Sequence, residues 1–333
     1  MSTGVTTIIG DGQMGLVLAQ LLAEHSRPVR LTGPFPEHLE RLRDTRRSPR
    51  LPELLLPDEV ECVSDLREAV EGSTCLVNAI PTQFIRAVWE RLGESAAGGS
   101  IVVNVAKGLE VGSMKRPSEI LREYVGERGI VTLSGPTIAT ELARRLPATV
   151  VAASPDHAAA HAVQETFSGR WMRVYTNGDL IGVELAGAAK NVIALAAGMV
   201  DGLGAGCNAK SALLARGLAE IVRLGVALGA RIETFFGIAG VGDLATTCFS
   251  PDGRNRSCGE QLGRGRTLHE ILGTSTSVVE GVETARALTA LAARHGVDMP
   301  IARAVHAILF EGLDPSRAIE ALMGRELKAE KVG

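Results

Sequence analysis

The feature that most constrains the fold is an alternation of short β-branched runs with helical patterns over the first 178 residues. Strands separated by helices of that length are typical of parallel β-α-β units with right-handed crossovers. The sequence therefore predicts a doubly wound α/β sheet in this part of the chain. The predicted strands are residues 5–9, 29–32, 60–63, 75–80, 101–106, 130–133 and 149–153.

Beyond this region the pattern changes to long helices rich in alanine, leucine and glycine. A chain of 333 residues with 45% hydrophobic composition is long enough to build two cores. We therefore predict two domains, residues 1–178 and an all-α domain over residues 179–333. The predicted helices of the second domain are residues 180–199, 209–228, 279–295 and 301–310.

Charge and cysteine content exclude several classes of protein. The 35 basic and 38 acidic residues leave a net charge of -3, which gives no global attraction to nucleic acid or anionic lipid. The five cysteines show no CxxC spacing, so we expect buried or partly buried free thiols in a reducing compartment. Without a secretion signal, and with three charges in the most apolar stretch, residues 180–203, we expect a cytoplasmic protein with no membrane span.

Two further segments bear on the prediction, one rich in proline and one with a pair of histidines. Three prolines exclude a regular helix over residues 46–58, which we predict to be an extended loop. His157 and His161 lie four residues apart, but no glutamate or third ligand accompanies them, so we expect no metal site.

A glycine motif follows the first predicted strand directly and leads into an amphipathic helix. In that setting Gly10 allows a tight turn, Gly12 lets a pyrophosphate approach the backbone, and Gly15 lets the helix pack closely on the sheet. Gln13 and Met14, in the same turn, are further expected cofactor contacts. The motif favours dinucleotide binding by a Rossmann-like domain over a glycine-rich turn without a ligand.

The sequence leaves the choice between NAD and NADP open. The acid that usually binds the adenosine ribose is expected about 20 residues after the glycines, at the end of the second strand. That place holds Thr32, Gly33 and Pro34, with no acid. Arg30 or Arg41 reaches a 2′-phosphate only if the chain turns its side chain inward.

Lys190 lies in a predicted helix that is otherwise almost wholly apolar. A buried lysine is rare unless another group holds its charge, and over a cleft it can polarise a carbonyl or transfer a proton. Because Glu184 and Asn191 are seven residues apart on one helix face, we expect Asn191 to help hold Glu184.

Lys107 follows the fifth predicted strand, at the ligand-binding edge of such sheets, although a surface lysine is the alternative.

Two further segments of the second domain carry candidate site residues. Glycine-rich residues 237–242 are predicted to form an interhelical loop that presents Asp243, for which an ordinary helix N-cap is the alternative. Arg254, Asn255 and Arg256 are predicted to lie in a basic loop. Guanidinium groups bind phosphate bidentately, so this loop is a candidate phosphate clamp, with a solvated basic loop as the alternative.

These motifs together resemble the bacterial-type NAD(P)-dependent glycerol-3-phosphate dehydrogenases over nearly the whole chain. The segments that carry the resemblance are residues 8–12, 106–110, 134–141, 182–192, 240–244, 254–256 and 279–281. The resemblance implies reversible hydride transfer between a nicotinamide and C2 of dihydroxyacetone phosphate. The product would be sn-glycerol 3-phosphate for phospholipid synthesis.

The resemblance also implies roles for individual residues. Lys190 matches the proton-transferring lysine, with Lys107 and Asp243 in the same site. The implied substrate contacts are Lys107, Gly135, Thr137, Lys190, Asn191, Asp243, Thr247, Arg254 and Asn255. The implied cofactor contacts, besides the glycine turn, are Lys107, Ala139, Arg254 and Glu280.

The chain departs from the family pattern mainly in its first half. Met14 stands where an aromatic residue is usual, a basic residue is missing near Pro34, and Gly253 stands where serine is common. Two alternatives stay open: a related two-domain dehydrogenase of the ketopantoate reductase or 6-phosphogluconate dehydrogenase type, and a catalytically silent dinucleotide sensor. We expect a phosphorylated small-molecule substrate and a homodimer through the helical domain.

Overall fold

The computed structural model describes residues 4–93, 101–126, 129–274, 278–327 and 329–330. The chain divides into two units, each with its own core. Unit 1 comprises the described residues of Met1–Ala106 and Pro117–Leu180, and unit 2 those of Lys107–Arg116 and Ile181–Gly333. A short segment from the first half of the chain therefore packs with the helices of the second half.

Unit 1 contains an eight-stranded sheet and a separate two-stranded hairpin. The strands are β1 Val5–Ile9, β2 Val29–Thr32, β3 Arg47–Ser48, β4 Leu51–Leu55, β5 Val60–Cys62, β6 Ser73–Asn78, β7 Ile101–Asn104, β8 Ile130–Ser134, β9 Ala148–Ala153 and β10 Met172–Asn177. Their order in the sheet is β10-β9-β8-β7-β6-β1-β2-β5, and β3 pairs with β4. Strand order reverses at β1, which is the topological switch point where such sheets bind ligands.

The faces of the sheet are both covered by helices. Neighbouring residues of a strand point to opposite faces, so Ile8 packs in the cluster with Leu16 while Ile9 packs with Trp89 on the other side. The helices of unit 1 are α1 Gln13–Glu24, α2 Pro36–Thr45, α3 Leu66–Val70, α4 Ile85–Leu92, α5 Pro117–Val125, α6 Ala139–Ala143 and α7 His157–Phe167. This arrangement confirms the doubly wound α/β prediction.

The sequence predictions are wrong in two details of the sheet. β9 runs antiparallel to β8, because the five-residue helix α6 between them is too short to cross the sheet face and the chain returns beside β8. β10 was not predicted, since its exposed edge position leaves few buried apolar residues to mark it. Residues 46–58 form no helix, as expected, but they are not a simple extended loop, because Arg47–Ser48 and Leu51–Leu55 within them pair as the β3–β4 hairpin.

Unit 2 is built of helices, apart from the 107–116 segment. They are α8 Leu180–Gly202, α9 Gly206–Ala227, α10 Ile232–Phe235, α11 Asp243–Phe249, α12 Arg254–Gly263, α13 Leu268–Thr274, α14 Glu280–Arg294, α15 Pro300–Phe310 and α16 Pro315–Met323. A π-helical segment, Ile238–Gly242, joins α10 to α11. The four long helices predicted from the sequence are confirmed.

Glycines bring α8 and α12 into unusually close contact. A Cβ atom on Gly198 would lie 1.9 Å from the carbonyl oxygen of Arg256, and one on Gly259 would lie 2.0 Å from that of Leu195. Neither position accepts a side chain at this spacing. The contact places the start of α12, where Arg254 and Asn255 lie, beside the middle of α8, where Lys190 and Asn191 lie.

Helix α8 alone among the described residues is long and apolar enough to match a membrane span. Within its most apolar window 94% of the residues are buried inside the protein, as in the core helix of a water-soluble domain.

All five cysteines are free. Four are buried or partly buried as expected, whereas Cys207 is exposed at the start of α9.

Candidate active site

Two lysines of unit 2 share one buried carboxylate. Lys190 on α8 donates from Nζ to Asp243 Oδ1 at 2.6 Å, and Lys107 donates from Nζ to Oδ2 of the same side chain at 2.7 Å. Lys190 also donates to the hydroxyl oxygen of Thr247 at 2.7 Å. The Lys190 side chain is buried, with 8% of its surface exposed, so its ammonium is largely desolvated. We call Lys107, Lys190, Asp243 and Thr247 the lysine–aspartate cluster.

The position of Asp243 depends on a kink immediately before it. Gly240 leaves the helical conformation, and a Cβ atom there would lie 2.1 Å from the carbonyl oxygen of Phe235. The chain can therefore fold back on α10 only with glycine at this position. Asp243 is not the N-cap of α11, because Gly242 before it is already helical and the Asp243 carboxylate accepts from the lysines. The predicted loop is in fact π-helical, but it does present Asp243.

Burial sets the ionisation of the lysine–aspartate cluster. It lowers the pKa of Lys190 to about 8, with the Asp243 carboxylate opposing the shift and the neighbouring Lys107 ammonium adding to it. Burial alone would raise the pKa of Asp243, but Lys107 and Lys190 outweigh it and hold that pKa below the usual value. Lys190 is therefore charged near neutral pH and releases its proton more readily than an ordinary lysine.

A chain of amide groups holds the backbone around this cluster. The Asn191 side-chain nitrogen donates to the carbonyl oxygen of Lys107 at 2.9 Å, and its oxygen accepts from Asn255 at 2.9 Å. The Asn255 oxygen in turn accepts from the backbone N–H of Gly281 at 3.0 Å. The 107–116 segment, α8, α12 and α14 are thus tied together through two buried side chains.

The expected contact between Asn191 and Glu184 is wrong. Both polar ends of the Asn191 amide are engaged elsewhere, because the 107–116 segment brings a backbone carbonyl within its reach. Glu184 instead accepts from Arg116 at 2.8 Å. Sequence spacing placed the two residues on one helix face correctly, but it could not show which segment covers that face.

The basic segment is also organised differently from the sequence prediction. Arg254 and Asn255 begin helix α12 and do not lie in a loop. Arg254 donates to the carbonyl oxygen of Val278 at 3.1 Å and stays exposed. Arg256 forms ion pairs with Asp201 at 2.8 Å and Glu260 at 3.0 Å. Arg256 is therefore neutralised within unit 2, and it is not part of a phosphate clamp.

The glycine turn of unit 1 has the geometry of a diphosphate cradle. Gly10 has a φ of +128°, and a Cβ atom on Gly15 would lie 1.9 Å from the Gly10 carbonyl oxygen, so the turn and the packing of α1 require both glycines. A Cβ atom on Gly12 would meet no atom within 4 Å. The protein's own packing therefore does not explain that glycine, whereas a ligand at the N-terminus of α1 does. The residues present fit a dinucleotide.

The remaining predicted contacts of unit 1 lie near the same turn or after β8. Gln13 donates from its side chain to the carbonyl oxygen of Arg50 at 2.8 Å, and Met14 packs on the core at the start of α1. Gly135 has a φ of +150°, and its carbonyl oxygen accepts from the Thr137 hydroxyl at 3.1 Å. Ala139 begins α6.

In unit 2, Glu280 begins α14 and is half-buried. Its position at the first turn of that helix is next to Gly281, whose backbone N–H is held by Asn255. Because Asn255 binds the backbone of Gly281, it lies close to the preceding residue, Glu280.

Sequence reasoning missed a cluster around Asp11, which is buried between Gly10 and Gly12 and contacts His38 and Arg50. An aspartate between two glycines of a phosphate-binding turn was the signal that could have indicated it.

Arg30 does not turn toward the glycine turn, because it donates to Glu61 and to the carbonyl oxygen of residue 71. Among the described residues, no three His, Cys, Asp or Glu side chains form a group that could hold a metal ion.

A doubly wound sheet with an open glycine cradle, together with a helical unit that carries a lysine–carboxylate–lysine cluster, defines a nicotinamide-nucleotide dehydrogenase. Two family models match the chain: the N-terminus of NAD-dependent glycerol-3-phosphate dehydrogenase over residues 5–160 and its C-terminus over residues 179–320. The chain belongs to the family of NAD-dependent glycerol-3-phosphate dehydrogenases.

Individual relatives extend this result over the full length. The chain is 42% identical to a glycerol-3-phosphate dehydrogenase [NAD(P)+] of Listeria monocytogenes, with 99% of both chains covered. It is 46% identical to that of Geobacillus kaustophilus, over 97% of this chain and 95% of the relative. The crystal structure of the Coxiella burnetii glycerol-3-phosphate dehydrogenase superposes with a TM-score of 0.93 at 35% identity, over 97% of this chain and 99% of that one.

Proposed function

We propose that this protein reduces dihydroxyacetone phosphate reversibly to sn-glycerol 3-phosphate with NADH or NADPH. The observation that carries the proposal is the carboxylate shared by Lys107 and Lys190 in a chain of this family. A silent dinucleotide sensor needs the glycine turn but has no use for a buried lysine whose pKa is lowered toward neutrality. The alternative with a non-phosphorylated substrate offers the exposed Arg254 no substrate phosphate to bind.

A nicotinamide held by the glycine turn would supply the hydride for C2 of the ketone. As the C2 oxygen gains negative charge, the Lys190 ammonium stabilises it and donates its proton to that oxygen. Asp243 and Thr247 fix the position of the ammonium through hydrogen bonds of 2.6 and 2.7 Å. Lys107 adds a second positive charge on the other side of the Asp243 carboxylate.

We assign the substrate phosphate to Arg254, which is exposed at the start of α12. Its side chain donates to the carbonyl oxygen of Val278 and not to a carboxylate, so its positive charge is available to an anion. Asn255 and Asn191 keep the helix start in place. The full set of proposed substrate contacts is Lys107, Gly135, Thr137, Lys190, Asn191, Asp243, Thr247, Arg254 and Asn255. The proposed cofactor contacts are Gly10, Gly12, Gln13, Met14, Gly15, Lys107, Ala139, Arg254 and Glu280.

We further propose that residues 1–178 and 179–333 act as the cofactor and substrate domains, and that the enzyme is a cytoplasmic one that supplies glycerol 3-phosphate for phospholipid synthesis. The burial of α8 within a core and the absence of a net basic charge support a water-soluble enzyme. A homodimer through the helical domain stays a prediction.

The experiment compares two ketones that differ only in the phosphate. Purified protein should oxidise NADPH or NADH when dihydroxyacetone phosphate is added, and dihydroxyacetone should not substitute for it. Equal rates with both ketones would remove the phosphate clamp from the proposal. No oxidation with either ketone would reject the dehydrogenase activity itself.

A further inference from the structure

A buried carboxylate inside the glycine turn links three elements of unit 1. The Asp11 side chain is 3% exposed and accepts from Arg50 Nη1 at 2.9 Å, and its other oxygen contacts the ring nitrogen Nδ1 of His38. The second ring nitrogen of His38 contacts the Ser48 hydroxyl at 2.9 Å. The cluster of Asp11, His38, Ser48 and Arg50 therefore joins the glycine turn to α2 and to the β3–β4 hairpin.

This cluster lies where an adenosine ribose is bound in doubly wound sheets. Gly33 follows β2 directly, and a Cβ atom on it would lie 2.4 Å from the Asp11 carboxyl carbon. The Asp11 side chain thus packs against the residue where a ribose-binding acid is usual. The Arg50 guanidinium lies beside the same Asp11 carboxylate, and its central carbon is 5.2 Å from the ring centre of Phe35.

Asp11 cannot replace the missing acid, because both of its oxygens are engaged and it is buried. Arg50 differs in both respects. Its side chain is 33% exposed, and its hydrogen bonds within the described part of the chain use only Nη1, so Nη2 and Nε keep their N–H groups for a ligand. A guanidinium held in one orientation by a carboxylate and an aromatic ring is well prepared to bind a phosphate.

We propose that Arg50, oriented by Asp11, binds the 2′-phosphate of the adenosine ribose, and that this protein therefore prefers NADPH to NADH. The inference rests on the proposed dinucleotide binding by the glycine turn, but not on the identity of the ketone. Arg30 is excluded from this role by its contacts with Glu61 and residue 71. Arg50 is thus a specificity-determining residue contributed by the hairpin, outside the usual position after β2.

Direct binding measurements test the proposal without catalysis. Dissociation constants of NADPH and NADH would be measured by nicotinamide fluorescence for the full-length protein, Arg50→Gln and Arg50→Lys. Arg47→Gln is the matched control, since Arg47 is an exposed arginine of the same hairpin. We expect Arg50→Gln to weaken NADPH binding by about tenfold or more while NADH binding changes by less than about twofold. Arg50→Lys should fall between wild type and Arg50→Gln, and Arg47→Gln should match wild type.

The adenosine fragments give a second readout. Calorimetry should show tighter binding of 2′,5′-ADP than of 5′-AMP to the wild-type protein, with the difference lost in Arg50→Gln. Equal losses for NADPH and NADH, or an unchanged NADPH constant in Arg50→Gln, would overturn the role of Arg50. If NADPH binds selectively but dihydroxyacetone phosphate is not reduced, only the proposed activity fails. If neither dinucleotide binds, both proposals fail.

Discussion

Lys190 and Asp243 meet through a hydrogen bond of 2.6 Å, and the remaining oxygen of that carboxylate holds Lys107 at 2.7 Å. One negative and two positive groups give this cluster an excess positive charge. That charge suits a substrate that is anionic and whose carbonyl oxygen gains further negative charge during reduction. The cluster also keeps Lys190 protonated until the transfer, because removing its proton would leave Asp243 paired with Lys107 alone.

Lys190→Met should remove the proton donor while keeping most of the side-chain volume in the packed surroundings of α8. We expect kcat for reduction of dihydroxyacetone phosphate to fall by about 100-fold or more, in the range typical of lost general acid catalysis. The dinucleotide dissociation constant should stay close to that of wild type, since the glycine turn is unaffected. Stopped-flow or steady-state rates with a parallel binding titration would check this, and near-normal turnover would reject the assigned role of Lys190.

The pH dependence of turnover should report the pKa of Lys190. Burial, partly opposed by Asp243, lowers that pKa to about 8. Reduction needs the ammonium, so kcat in that direction should be constant below pH 8 and fall as the pH rises through it. Oxidation of glycerol 3-phosphate needs the neutral amine, so its kcat should rise through the same range. Rates in both directions between pH 6 and 10 would show the two opposite slopes, and a reduction rate that increases above pH 8 would contradict the assignment.

Much of the fold and part of the site follow from local sequence. The β-branched runs of β1 and β2, the glycine turn and the apolar α8 with one lysine are local signals, and each was predicted correctly. The direction of β9 and the partners of Asn191 depend on which distant segment packs alongside, and no local pattern contains that information. For the Asp11 cluster, the aspartate in the glycine turn was a local signal, but no local pattern could identify its partner Arg50, which lies 39 positions away along the chain.

Arg254→Gln should weaken substrate binding through the lost charge at the phosphate. We expect KM for dihydroxyacetone phosphate to rise by about tenfold or more, with a smaller change in kcat. Arg264→Gln is the control, because Arg264 carries the same charge at the other end of α12 and its side chain is 65% exposed. An equal change in both variants would show a general electrostatic effect and would leave Arg254 without a specific role.

Gly12→Ala should separate ligand binding from folding. An alanine Cβ at this position meets no atom of the protein within 4 Å, so the methyl group points into the space proposed for the diphosphate. We expect dinucleotide binding to weaken by about tenfold or more. The free energy of unfolding should change by less than about 1 kcal/mol, because alanine lowers the conformational entropy of the unfolded chain and this offsets the loss of a favourable N-cap glycine. Gly15→Ala is the contrasting variant, since its Cβ would lie 1.9 Å from the Gly10 carbonyl oxygen and should destabilise unit 1. Thermal unfolding and fluorescence titration of both variants would check the contrast, and normal NADPH and NADH binding by Gly12→Ala would show that no ligand uses this space.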